Sequence, residues 1–183
     1  MKIKVSDLKK QLKVYNQKEL IELVLEMFKT NKDVQNYLSS KFLGEEVNEA
    51  LFQEARKKIK NEFFPDRGDG KLRLAEAKKE ITAFKKATND EKRTLDLKLF
   101  YVEQGVEFTN TFGDINEGFY GSIARMFDQI AVECNQNEEL YQAFSSRMRN
   151  VVSNVNGIGW GFEEALVEIY YSIDWIHDEE DDE

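Results

Sequence analysis

Apolar residues recur three and four positions apart along almost the whole chain, the spacing of helices that each turn one face to a core. A first short helix is expected from a cap at Ser6-Asp7 to about Tyr15. Asn16 followed by Glu19 is the pattern of a capping box, in which each side chain satisfies a free backbone N–H of the first turn. The helix it opens spaces Leu20, Leu23, Val24, Met27 and Phe28 so that they should be buried together. Asn31 caps a third helix carrying Val34, Leu38 and Phe42, and Gly44 ends it where a left-handed residue is favoured.

A fourth helix runs from about Glu45 to Phe63, with Val47, Leu51, Ile59 and Phe63 inward and Arg56, Lys57, Lys58 and Lys60 mostly outside. Pro65 ends it, and Phe64 to Lys71 lacks helical periodicity and reads as a loop. A fifth helix follows to about Thr88 through Leu74, Ala77, Ile81 and Phe84. Asn89-Asp90 caps a sixth, Glu91 to about Phe112, apolar on nearly all sides around Leu99 to Val102 and so expected in the middle of a bundle. Turns at Gly113 to Gly118 and at Asn156 to Gly161 separate three more helices, the last through Phe162, Leu166, Ile169, Tyr170 and Ile173. No convincing run alternates with period two. The expectation is an all-α single domain over residues 1–176, about eight or nine antiparallel helices as a bundle or stacked hairpins, with 177–183 a flexible acidic tail.

Composition narrows the class. With 41% apolar residues in 183 and a single Pro, the chain is globular in character. Cys134 is the only cysteine, which excludes an intrachain disulfide and a thiolate metal cluster and suits a reducing compartment. No run approaches the length of a membrane span, and MKIKVSDLKK has no apolar stretch behind its lysines, so a cytoplasmic protein without membrane attachment is expected. The net charge of −9 is unevenly spread: residues 1–93 hold 22 Lys/Arg against 16 Asp/Glu, and residues 94–183 hold 4 against 19. Such polarity points to a partner of opposite charge for one end, to self-association through opposite faces, or simply to a solvated surface.

Three segments carry a resemblance: Phe63-Phe-Pro-Asp-Arg-Gly with Gly70-Lys-Leu-Arg-Leu74, Tyr101 to Asn110 with Phe112-Gly-Asp-Ile115, and Gly157-Ile-Gly-Trp-Gly-Phe162. In that order they resemble a family of small uncharacterised bacterial proteins, a domain of unknown function. The resemblance implies a bacterial cytoplasmic protein. It brings no activity and no residue roles.

Candidate chemistry is sparse. The one histidine, His177, sits in the acidic tail, so nucleophilic triads lack an imidazole. Cys134 lies on an amphipathic helix and reads as a packed residue. The loop residues Arg67, Gly68, Gly70, Lys71 and Arg73 suit an anion or an acidic partner, because glycines let backbone N–H groups converge beside positive side chains. The plainer reading is a solvated turn pairing with Asp66, Asp69 and nearby acids. Glu103, Glu107 and Asn110 share one face of the sixth helix, with Asp114 following, and these carboxylates could bind a divalent metal. Against that, the Glu-x-x-His of di-iron bundles is absent, and the stripe could face water or pair with basic residues of the first half. Trp160 among three glycines either anchors a partner or folds back over a helical core.

The leading functional expectation is a non-enzymatic protein–protein interaction module with polarised charge and no cofactor. The alternative is a metal-dependent enzyme using Glu103, Glu107 and Asp114. Third is anion or nucleic-acid binding through the basic first half, with nucleic acid disfavoured by the net charge. Oligomeric state is left open.

Overall fold

The computed structural model describes residues 2–176, and the acidic tail expected at 177–183, His177 included, lies outside the described residues. Among them the chain forms nine helices: α1 (Val5–Leu12), α2 (Gln17–Thr30), α3 (Lys32–Leu43), α4 (Glu45–Phe63), α5 (Leu74–Thr88), α6 (Glu91–Phe112), α7 (Glu117–Asn135), α8 (Glu138–Ser153) and α9 (Phe162–Tyr171). The fold is all-α and a single domain.

Most boundaries follow from short polar residues that satisfy orphan N–H groups. Asn16 and Glu19 form both halves of the capping box. Asn31, Asp90, Asn116 and Asn137 accept from the first turns of α3, α6, α7 and α8. α1 departs from expectation. It begins after Lys4 with no side-chain cap and ends at Leu12, so Ser6 and Asp7 are inside its first turn. Val5 extends the apolar spacing one residue ahead of the expected cap, and the Lys4 carbonyl already accepts from Asp7 and Leu8.

α6 is the axis of the molecule, packed against α4, α5, α7 and α8. Leu95, Leu97, Leu99, Tyr101 and Val102 are fully enclosed, the all-round burial expected of a helix apolar on every side. Gly105 lets α7 approach: a Cβ there would sit 2.5 Å from Ile123 Cδ1. Phe63 at the end of α4 stands edge-on to Tyr101, Phe108 and Phe119, joining three helices through one ring. Ile158, Phe162, Ile173 and Ile176 close the far end. Trp160 takes no part. It is exposed, at a left-handed φ of 63°, and Trp175 instead packs on the core with its indole N–H donating to the Cys134 carbonyl.

The largest departure is α2. Leu20 and Leu23 are half-buried, whereas Val24, Met27 and Phe28 are exposed, and no residue of the helix is buried. The reason is geometric. α3 is its principal neighbour, and one neighbouring helix covers one face only.

Candidate functional site

The loop between α4 and α5 is fastened down rather than free. Glu62, buried in the last turn of α4, takes the Arg73 guanidinium through two bonds of 3.0 and 2.7 Å and also accepts from the Arg73 backbone N–H. The bonds to Glu62, followed by its charge, hold the Arg73 guanidinium above its ordinary pKa. The Leu72 N–H donates to the Glu62 carbonyl. Gly70 is needed for this fit, since a Cβ there would lie 2.2 Å from the Phe63 carbonyl oxygen. Gly68, by contrast, sits in open space at a φ of 74°. Arg67 and Lys71 remain exposed on the outer side of the turn. Of the three cations expected to form one patch, Arg73 is thus committed to the fold.

The carboxylate stripe of α6 also divides. Arg147 of α8 grips Glu103 with two bonds of 2.7 Å and reaches Asp96 at 2.8 Å. Arg56 adds a second cation 3.8 Å from Asp96 while lying 4.2 Å above the Phe100 ring. Burial works against the Arg147 charge, but the bonds to Glu103 and Asp96 outweigh it and raise its pKa. Glu107 accepts from Gln104, Asn110 donates to the Asn154 carbonyl, and Asp114 accepts from Tyr120 on α7. Glu103, Glu107 and Asn110 do share a cleft of about 340 Å³ between α6 and α8, but Asp114 is not part of its lining. Among the described residues no three His, Cys, Asp or Glu side chains are grouped to hold a metal ion. Arg147 was not singled out in the sequence. Its rarity was the signal, as one of four Lys/Arg in a half that holds 19 Asp/Glu.

Cys134 is completely enclosed, and burial, then the neighbouring Glu133 charge, pushes its thiol up to about 12. A group in that state is neither nucleophile nor ligand at neutral pH. Lys98, nearly buried in α6, is neutralised by Glu133 at 2.6 Å.

What remains unspent is apolar. Among the described residues, 17 large hydrophobic side chains are exposed, and 13 of them fall within residues 3–43. They include Val5 in α1, Ile21, Leu25 and Phe28 in α2, and Phe42 and Leu43 at the end of α3, the last two 76% and 69% exposed. Ile21, Leu25 and Phe28 recur at four and three residues, so they form a second apolar stripe on α2 beside the one half-covered by α3. Residues 2–43 also hold nine lysines against five carboxylates. A helical pattern names an apolar face without saying what covers it, which is why periodicity predicted burial here. The missed signal was Ile21 and Leu25, which make α2 apolar on two sides.

A family model described as a family of unknown function (DUF6155) matches residues 3–174, and the chain belongs to that family. No curated protein and no solved structure matches it. No helix among the described residues is long and apolar enough to cross a membrane.

Proposed function

We propose that this member of a family of unknown function is a non-enzymatic helical interaction module, with α1–α3 as its docking surface and α4–α9 as the scaffold that holds it. The observation that carries the reading is the concentration of exposed apolar side chains in residues 3–43 while α6 and its neighbours are tightly closed. Contiguous apolar surface of more than a few hundred Å² is uncommon on a chain that works alone, and covering it is worth about 25 cal/mol per Å². The same segment holds nine lysines and five carboxylates, so an approaching surface with charges of both signs at its rim is favoured. Arg67, Lys71 and the exposed Trp160 are secondary contact candidates on the same scaffold.

The charged groups are spent structurally, which supports this reading over catalysis. Glu103 has both oxygens held by Arg147, Arg73 is held by Glu62, and Cys134 is enclosed. The test is site-specific photo-crosslinking in intact cells, with the reactive residue at Leu25 and, as control, at Gln142 on the exposed side of α8. A discrete adduct from position 25 and none from 142 is expected. No adduct from 25, or the same smear from both, would overturn the interaction reading.

A further inference from the structure

We infer that the occupant of this surface is a second copy of the same chain, joined through the outer stripe of α2. The inference rests on the interaction reading above and names its partner.

Two observations lead to it. The first is area. The chain presents 12008 Å² of accessible surface, where a compact protein of 21.4 kDa presents about 9,100 Å². The residues outside the described range, fully extended, account for at most about 1,500 Å² of the difference, which leaves roughly 1,400 Å². A stable dimer of standard size needs about 800 Å² from each partner. The uncovered α1, with no buried residue, contributes part of this surplus, and the remainder on α2 and α3 is of the order one such interface needs.

The second is the character of α2. A helix apolar on two sides belongs between two neighbours, and α3 supplies one. Closed two-fold pairs are the commonest assembly, and in them the same stripe meets itself. α2 is built for that. Its stripe of Ile21, Leu25 and Phe28 has Leu25 near the middle, with Lys18, Glu19 and Glu22 toward one end and Glu26 and Lys29 toward the other. Both ends carry charges of both signs, so two copies crossing antiparallel would set lysines and carboxylates of one beside those of the other, with opposed helix dipoles. A partner of purely acidic character would meet Glu19, Glu22 and Glu26 on the same helix.

Sedimentation of the purified full chain tests this directly, from well below to well above about 1 µM, the weak end for an interface of standard size. The expected result is a dimer at the upper end that dissociates on dilution. Ile21→Lys with Leu25→Lys should raise the dissociation constant about a hundredfold or more, since truncating central apolar anchors removes most binding energy. Because both side chains are exposed in the single chain, the variant's melting should match that of the diluted wild type. Val132→Lys, another exposed apolar position on α7, should leave the dimer intact. A wild-type chain that stays monomeric throughout, or a dimer indifferent to the paired lysines, would overturn the inference. Binding of the monomer to anionic phospholipid vesicles with no dimer formed would overturn it too. An adduct from Leu25 to a different protein, with the purified chain monomeric, removes the second copy and leaves the interaction reading standing.

Discussion

Single residues show how tightly the scaffold is specified. Gly68 and Gly70 look alike in the sequence, and both were read as freedom for a turn, but they serve different needs. Gly68→Ala meets only a strained φ, at a cost of about 1 kcal/mol. Gly70→Ala drives a methyl into the Phe63 carbonyl and should cost more than 2 kcal/mol by urea denaturation, because backbone rather than a side chain must move. The carboxylates of α6 divide in the same way. Glu103→Gln leaves Arg147 with Asp96 as its one close anionic partner on that side and should cost about 1–2 kcal/mol, whereas Glu107→Gln should stay within about 0.5 kcal/mol. Equal effects of the two would contradict the assignment of Arg147 to Glu103. Cys134 has a thiol pKa raised from about 9 to about 12. The folded state then holds its proton more tightly than the unfolded state. That contribution to stability is intact below pH 9 and is lost as pH rises from about 9 towards 12. At pH 8 the thiol should resist a disulfide reagent in the native protein and react at once in denaturant.

At the scale of elements, sequence pattern and structure agree wherever packing is internal. α4 and α6 run as their periodicity and caps indicate, because Asp90 and Pro65 act locally and the apolar faces of these helices meet neighbours from the same chain. Gly105→Ala should test the α6–α7 contact: the added methyl reaches Ile123, a side chain that can turn aside, so a loss of about 1–3 kcal/mol is expected. Agreement fails at α2, and at Trp160 the sequence left open whether the ring is covered. Burial there depends on what lies opposite, and spacing carries no information about that. The salt links were illegible for a related reason. Arg73 is eleven residues from Glu62 and Arg147 is 44 from Glu103, separations that only the assembled bundle brings within reach.

Across the whole molecule, the basic-to-acidic polarity of the sequence resolves into two jobs. Two cations of the acidic half are spent on half-buried acids: Arg147 holds Glu103 and Asp96, and Lys98 holds Glu133. The first 43 residues combine nine lysines with most of the exposed apolar side chains instead. A closed α4–α9 scaffold carrying an open α1–α3 platform should not be uniformly stable, since local opening follows the density of buried apolar contact. Amide hydrogen exchange over a dilution series reads this most directly. Residues 95–106 of α6 should be strongly protected at every concentration. Residues 20–28 of α2 should exchange quickly when dilute and gain protection as the protein is concentrated, because association favours the ordered, covered state by mass action. Protection of α2 that is the same at every concentration, weak or strong, would contradict the account.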